Sequence, residues 1–423
     1  MALKYKNAEI VGIDLSSKQI EHANRIIKAL SLKNIKCEHL SIDDVDNSLG
    51  KFDYIIVHGI LSWVPEKTQK KIFEIFSNNL TKDGIAYVSY NTLPGWNMVN
   101  TVRDMMNFHT SGFKDPNQKL QQSKLILKFI TDSIEGHNTP YSNMLKEELK
   151  NLSDKEDNYL FHDHINTYNT PFYFKDIALT AAKNDLQYLG DSSLASMYIG
   201  NLPKMAQEKL SKVNNILQLE QYSDFIRNRR FRSSLFCHNS VKINRNINNS
   251  QIKDFAIKCN VFKDIENPID ITSNEKEKIY LSADKKRFIE TSSPAQKAIF
   301  ECFSENPTRF IDFDYIVKKS NSKFKDVDMS KQITAMLLNN MMNMVIRGVA
   351  EISLFKTGSL AKIDKNKPKA NPLALYQAKH EKSNFVTTTN HTPLNITPFH
   401  KVAITYMDGS NTKEEIVDEM LKH

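Results

Sequence analysis

Hydrophobic and polar positions in the first ninety residues follow strand and helix periods in turn. Strand-like apolar runs occupy residues 8–14, 35–40, 52–57 and 85–90, and the run at 52–57 is continuous, as expected for a parallel strand covered on both faces. Between them, apolar positions recur at helical spacing over residues 17–30, after Ser16 as N-cap, and over 66–80, while Asp83-Gly84 predicts a turn. This order predicts an α/β fold with a doubly wound parallel sheet.

Ligands of such sheets bind beyond the carboxyl ends of the strands. There the sequence places Asp14, residues 41–44, His58 with Gly59, and Asn91. Asp14 can accept two hydrogen bonds from a ribose diol, or it can cap the helix that follows, and the two roles are compatible. This acid alone does not separate a nicotinamide enzyme from an S-adenosylmethionine enzyme.

Longer motifs resemble one family. Residues 50–59, GKFDYIIVHG, with SWVP at 62–65, resemble the fourth strand and following loop of class I S-adenosylmethionine-dependent methyltransferases. Residues 90–96, YNTLPGW, with VRDMM at 102–106, are similar to the loop after the fifth strand in a bacterial subfamily that carries a methyltransferase regulatory domain. The subfamily pattern continues to about residue 240, in YLFHDH (159–164), NTPFYF (169–174), LQYLGD (186–191), EQY (220–222) and RRFR (229–232).

The resemblance implies a Rossmann-like class I methyltransferase sheet and S-adenosyl-L-methionine as cofactor. It also implies methyl transfer to lysine side chains of a protein substrate, since relatives in this subfamily look like enzymes that modify an outer-membrane surface protein of intracellular bacteria. Two other hypotheses stay open: a catalytically dead protein-binding module derived from such an enzyme, and a nicotinamide-dependent enzyme, which the loop at 91–96 argues against.

Candidate site residues follow from their positions at the strand ends. A lysine amine must lose a proton and meet the methyl donor in line, and aromatic faces and carbonyl oxygens suit the cationic centre. Trp63 and Trp96 serve equally well as core packing, and His58 is a base or lines the pocket. The predicted sets are cofactor-binding Asp14, Leu15, Ser41, Ile42, His58 and Gly59; catalytic His58, Asn91 and Trp96; and substrate-binding Trp63, Tyr90, Pro94 and Trp96.

Only seven residues precede the first strand-like run. The family's first strand and its glycine-rich cofactor loop do not fit there, so we expect an amino-terminally truncated enzyme with the first strand missing. Orphaned backbone groups on the neighbouring strands would cost about 1–3 kcal/mol each. We therefore expect weak binding of S-adenosylmethionine, or none.

The rest of the chain divides into further segments. We predict a methyltransferase domain at 1–243 with a helical insert at about 97–170, a sixth strand at 186–189 and an antiparallel seventh strand at 230–237. A connector at 244–285 leads to a winged-helix-like module at 286–362 and a tail segment at 363–423. The third helix of that module, around 333–344, is rich in Asn and Met and carries no arginine that could read bases, which favours protein contact over nucleic acid.

The net charge and the cysteine content indicate which cellular compartment and which partners to expect. The formal charge is +8, yet lysines are spread along the chain, which favours a solvated surface over an acidic partner. The four cysteines form no CxxC pair, and there is no signal peptide or apolar span, so we expect a cytoplasmic protein in a reducing compartment with no membrane association. A homodimer is one assembly that the sequence leaves open.

Two charged clusters remain. Arg227, Arg229, Arg230 and Arg232 could grip an acidic partner, but outward charges on an antiparallel edge strand are the favoured interpretation. His162 and His164 flank Asp163; residues two apart on a helix point in different directions, so we predict no metal site.

Overall fold

The computed structural model describes residues 1–153, 166, 168–264, 266, 268–307, 309–354, 366–389 and 391–422. The chain forms two compact units. Unit 1 comprises residues 1–44, 249–341 and 350–423, and unit 2 comprises residues 45–248 and 342–349.

The first four strands and two α-helices follow the predicted order: β1 (Ile10–Asp14), α1 (Ser17–Ala29), β2 (Ile35–His39), β3 (Phe52–Val57), α2 (Glu66–Asn79) and β4 (Leu80–Asn91). Ser16 is the N-cap of α1, as predicted. The predicted turn at Asp83-Gly84 is wrong, because β4 runs through these residues. A register shift against β3, between its pairings at Phe52 and Tyr54, absorbs them.

The next elements build the rest of unit 2: α3 (Trp96–Thr110), α4 (Pro116–Ser133), α5 (Pro140–Ser153), α6 (Phe174–Ala182), β5 (Leu186–Asp191), α7 (Leu194–Met197), α8 (Lys204–Leu210), α9 (Ile216–Arg227) and β6 (Phe231–His238). Helices α3 to α5 are the predicted helical insert. They share an apolar core that includes Val102, Met106, Leu127 and Leu145.

The sheet of unit 2 has the strand order β3-β4-β6-β5. β3 and β4 are parallel, whereas β6 runs antiparallel to both β4 and β5. The predicted sixth and seventh strands are therefore present as β5 and β6. β6 lies inside this sheet and not at its edge, because it pairs with a strand on each side.

In unit 1, β1 and β2 form a two-stranded parallel sheet. The hydrogen bonds of the predicted doubly wound sheet form two separate sheets: within the described residues β1 pairs only with β2, and β3 pairs only with β4. The prediction that both faces of β3 are covered is also wrong, since Tyr54 and Ile56, which share a face, are 68% and 52% exposed.

Unit 1 continues with a second sheet and its helices. The elements of this stretch are β7 (Ala256–Cys259), β8 (Glu277–Tyr280), β9 (Phe288–Thr291), α10 (Pro294–Glu305), β10 (Ile311–Asp312), α11 (Phe313–Asn321), α12 (Ser330–Met336), a π-helical turn (Leu337–Met341), α13 (Met342–Ile346, in unit 2) and β11 (Ala350–Ser353). β7 is fully buried between β10 and β11, to which it is antiparallel. The predicted helices and final strand are present, whereas the sequence analysis missed β7.

The last elements are α14 (Pro372–His380), β12 (Phe385–Thr387), β13 (Pro393–Asn395), α15 (Pro398–Tyr406) and α16 (Lys413–Met420). Capping boxes at Thr397 and Thr412 begin α15 and α16. Ala374, Ala378, Val386 and Ile396 form a small apolar core. The segment predicted only as a tail is therefore folded. Among the described helices, none has the length and apolar character needed to cross a bilayer.

Candidate active site

Asp14 ends β1 with its side chain exposed. One carboxylate oxygen accepts the backbone N–H of Ser16 at 2.7 Å, and Ser16 in turn caps α1 through the N–H of Gln19. The second carboxylate oxygen of Asp14 has no hydrogen-bond partner in the described part of the chain. Asp14 thus orders the helix start with one oxygen and keeps the other available, which fits a ribose diol.

The other predicted cofactor residues of unit 1 lie in the turns after β1 and β2. Leu15 is exposed, and its carbonyl oxygen lies 2.8 Å from Nε2 of His39. Ser41 accepts the N–H of Asp43 at 3.2 Å and so starts the short turn that contains Ile42. The sequence analysis missed His39, although its place at the end of β2 marks the same sheet edge.

His58 follows β3 in unit 2 and is exposed, but one ring nitrogen is anchored. Nδ1 lies 2.9 Å from the Tyr87 hydroxyl and 3.2 Å from Oγ of Ser89. Ser89 also accepts the N–H of Gly59 at 2.8 Å, and Gly59 has a φ of +67°, a conformation that favours glycine. Tyr87 donates onward to Ser233 at 3.0 Å. The sequence analysis missed Tyr87 and Ser89. Their alternate positions along β4, on the face that His58 contacts, could have pointed to them.

Asn91 ends β4 and is 3% exposed. Its backbone N–H donates to Oγ of Ser62 at 2.9 Å, and its carbonyl accepts the N–H of Phe172 at 2.9 Å. Its side-chain Nδ2 is buried with no hydrogen-bond partner among the described residues. The backbone of Asn91 is therefore fixed, and its amide is left as an unused donor.

The two tryptophans pack against each other. The rings of Trp63 and Trp96 meet edge to face at 6.3 Å, and the Trp96 N–H donates to Oδ1 of Asn169 at 2.9 Å. The guanidinium of Arg103 lies 5.5 Å from the Trp63 ring centre. Trp96 is buried, which supports the packing interpretation. Oδ1 of Asn169 accepts from Trp96, and Nδ2 of Asn169 is buried without a partner in the part of the chain that the structure describes. Asn169 is thus a second candidate donor, which the sequence analysis missed.

Tyr90, predicted to bind substrate, lies in the core. It is 1% exposed, and its hydroxyl lies 3.0 Å from Oγ of Ser234. Burial raises its pKa far above the usual range of a phenol. Strand alternation puts Tyr90 on the sheet face opposite Tyr87 and Ser89, so its burial does not support a substrate contact. Pro94 is half-buried in the loop that follows.

The arginines do not form the predicted row of outward charges on an edge strand. Arg232 is fully buried and binds three carboxylates: Asp191 at 3.1 Å, Asp224 at 2.8 Å and Glu220 at 2.9 Å. Its guanidinium also lies 4.1 Å from the ring centre of Phe174. The favoured interpretation of the arginines was wrong because β6 is an interior strand, where alternate side chains enter the core.

Glu220 is the unusual acid of this cluster. Oε2 pairs with Arg232, but Oε1 is buried and has no hydrogen-bond partner within the described ranges. Burial raises the pKa of Glu220 to about 7, and Asp191 adds to this, while Arg232 opposes it. Burial also raises the pKa of Asp224.

The histidine pair predicted not to bind metal, His162 and His164, lies outside the described residues. Within the described residues no group of three His, Cys, Asp or Glu side chains is placed to hold a metal ion.

Three family descriptions match successive parts of the chain. A methyltransferase domain matches residues 1–160. A family described as "Predicted methyltransferase regulatory domain" matches residues 156–238, and "PKMT, C-terminal winged helix domain" matches residues 366–423. The last match covers the segment that the sequence analysis left as a tail.

Individual relatives extend over the whole chain. "Uncharacterized protein RP789" of Rickettsia prowazekii is 45% identical over 426 residues, which cover 100% of this chain and 76% of that protein. The structure of PKMT2 from Rickettsia typhi in complex with AdoHcy is 38% identical, with a TM-score of 0.90 over 100% of this chain and 82% of that one. PKMT2 without that ligand gives a TM-score of 0.89 at the same identity and coverage.

The predicted fold class is confirmed by these matches. Given the three domain matches in order and the identity along its full length, the chain belongs to the family of class I S-adenosylmethionine-dependent methyltransferases that combine a methyltransferase domain, a methyltransferase regulatory domain and a PKMT C-terminal winged helix domain.

Proposed function

We propose that this chain transfers methyl groups from S-adenosylmethionine to lysine side chains of a protein. The observation that carries the proposal is the full-length similarity to PKMT2, a name that abbreviates protein lysine methyltransferase, at a TM-score of 0.90. An outer-membrane surface protein as the target is supported by family resemblance alone. The four free cysteines support a cytoplasmic location.

His58 is the proposed proton acceptor. The methyl donor supplies an electrophilic methyl group, which only the neutral form of a lysine amine can attack. Because Tyr87 and Ser89 hold Nδ1 of His58, the ring presents Nε2 for the proton of the incoming ammonium. The contacts at Nδ1 also limit rotation of the ring.

Asn91 and Asn169 are the proposed substrate-positioning donors. A buried amide N–H without an acceptor costs about 1–3 kcal/mol, and such groups in a native protein call for an explanation. Because both nitrogens are enclosed in the structure, a backbone carbonyl of the bound polypeptide would reach them only after neighbouring side chains move aside. The Trp96 contact supports this role for Asn169, because it fixes which end of the amide donates.

Asp14 is the proposed ribose-binding acid. Its carboxylate is exposed, and one of the two oxygens has no hydrogen-bond partner in the described part of the chain, which supports this role. We also propose that this chain by itself binds the cofactor weakly. Two observations support this. Among the described residues, β1 and β3 each have one edge without a hydrogen-bonded strand, and β3 exposes Tyr54 and Ile56 on one face. Loops that follow such strands are less rigid, because fewer backbone hydrogen bonds fix the strand ends.

The test is methyl transfer at millimolar S-adenosylmethionine to a panel of lysine-rich proteins that includes outer-membrane extracts, read by mass spectrometry of methyl-lysine. His58→Gln is expected to lower kcat by about 100-fold, whereas the exposed His109→Gln is expected to have no effect. Wild-type chain that yields no methyl-lysine on any protein contradicts the proposal. Binding of a protein without transfer would instead favour the catalytically dead binding module.

Calorimetry tests the cofactor affinity separately. We expect a Kd for S-adenosylmethionine weaker than micromolar, and a further loss for Asp14→Asn. A micromolar Kd for the wild-type chain would contradict weak binding.

A further inference from the structure

We propose that the three residues Asn228–Arg230, here called the clamp, position the loop Thr92–Trp96 for methyl transfer, and that buried ion pairs hold the clamp in place. The inference rests on the proposed function, because it treats this loop as the segment that follows Asn91 and that, through Trp96, holds Asn169 in place for the reaction.

The clamp binds the loop through its backbone. The N–H of Thr92 donates to the carbonyl of Arg230 at 2.8 Å, and the N–H of Gly95 donates to the carbonyl of Arg229 at 3.1 Å. Two backbone hydrogen bonds three residues apart fix both the position and the direction of a short loop. They also continue the pairing of β4 with β6 beyond the last strand pair, Asn91 with Phe231.

Gly95 makes this contact possible. A Cβ added there would lie 2.5 Å from the Arg229 carbonyl oxygen and closer still to that of Asn228. Neither atom belongs to a flexible side chain that could turn away. Any residue other than glycine must therefore push the loop off the clamp.

The clamp is itself held from two sides. Asn228 ends α9 in the left-handed conformation, with φ of 48°, which asparagine tolerates better than most residues. The N–H of Arg229 then donates to the carbonyl of Asp224 at 3.1 Å. On the other side, the Arg229 guanidinium binds Asp191, at the end of β5, at 2.6 Å. Since Arg232 binds Asp191 and Asp224 as well, Arg229 belongs to one buried set of ion pairs. Arg230 is held separately, by an ion pair with Glu148 of α5.

This arrangement connects two parts of the family architecture. The clamp and its ion pairs lie in the stretch that matches the regulatory domain, 156–238, whereas the loop lies in the stretch that matches the methyltransferase domain. A shift of the regulatory stretch at Asp191 or α9 would therefore reach the loop through the clamp. The structure assigns Arg229 and Gly95 as positioning residues, since neither is placed at the reacting atoms.

The first experiment measures amide hydrogen exchange in the full chain and in Gly95→Ala. Gly112→Ala is the matched control, because the same added methyl group meets no atom within 4 Å there. We expect the Thr92 amide to exchange at least about tenfold faster in Gly95→Ala, with amides of β3 unchanged, and no change in Gly112→Ala. Emission from Trp63 and Trp96, the two tryptophans of the chain, should shift in Gly95→Ala alone.

The second experiment separates positioning from folding. Arg229→Ala, whose backbone carbonyl is retained, should raise exchange at Thr92 and Gly95 and lower kcat more than it raises KM. Arg229→Lys, which keeps the charge opposite Asp191, should recover part of both. Unchanged exchange at Thr92 in Gly95→Ala and Arg229→Ala would overturn the clamp.

The two proposals fail in different ways. If wild-type chain transfers no methyl group but both variants loosen Thr92, the proposed function fails and the clamp stands as a structural contact. If the chain is active and both variants keep wild-type exchange and kcat, the clamp fails and the function stands.

Discussion

Glu220 should make the stability of this protein depend on pH across the neutral range. Its ordinary pKa of 4.5 rises to about 7 in the folded chain, because burial disfavours the carboxylate. Between these two values the folded chain holds a proton that the unfolded chain has lost. The free energy of unfolding therefore falls as the pH rises through this window, and the contribution is fully present only below about pH 4.5.

The size of the effect follows from the same two values. At about 1.4 kcal/mol for each pH unit between them, the contribution of Glu220 amounts to about 3 kcal/mol. The charged groups that act on Glu220 are Arg232, Asp191 and Arg229. All three remain in Glu220→Gln, which keeps the side-chain volume and an oxygen for Arg232 but cannot titrate.

The assay is urea unfolding at pH 5, 6, 7 and 8 for wild type, Glu220→Gln and the exposed Glu147→Gln. We expect wild type and Glu147→Gln to lose stability relative to Glu220→Gln by about 2.5 kcal/mol between pH 5 and pH 8. The slope is diagnostic, since a difference between variant and wild type that is constant at every pH leaves the slope unchanged. Parallel curves for wild type and Glu220→Gln would refute the argument that Glu220 is protonated in the folded chain.

Three further substitutions test two buried side chains and one helix cap. Arg232→Met should lower the free energy of unfolding by about 3–5 kcal/mol in urea titration, because it leaves buried carboxylates without their cation, whereas the exposed Arg25→Met should change it little. Phe236→Ala should cost about 3–5 kcal/mol in the same assay, since Phe236 is fully buried in the sheet of unit 2. Thr412→Ala should reduce protection of the first amides of α16 in hydrogen exchange by about 1 kcal/mol, because it removes the capping box.

The order of strands and helices was largely readable from the sequence because each element has a local signature. Ser16 caps α1 where the polar residue before an apolar helical pattern predicts it. The antiparallel β6 was also expected. β7 was missed because four residues are too few for a period to stand out, and only its place between two other strands explains its burial.

The sequence could suggest where the site lies but not which residues complete it. Strand ends drew attention to His58 and Asn91, whose roles stay predictions. Tyr87 and Asn169, which contact His58 and Trp96, could not be found in this way because they depend on which segments of the chain lie side by side. The arginines show the same limit. Nothing local in the residues around Arg232 tells an interior strand from an edge strand, and that distinction turns a surface charge into a buried one.

The strand order of unit 2 also has a consequence for biosynthesis. Tyr90 and Ser234, which touch across β4 and β6, are 144 residues apart in the chain. While the ribosome makes the intervening segments, no strand lies between β4 and β5. The edges of the nascent sheet therefore stay unpaired until β6 has been synthesised. Stalled or proteolytically shortened chains that end before β6 should be captured by chaperones or cleared, even though they contain every residue predicted for the active site.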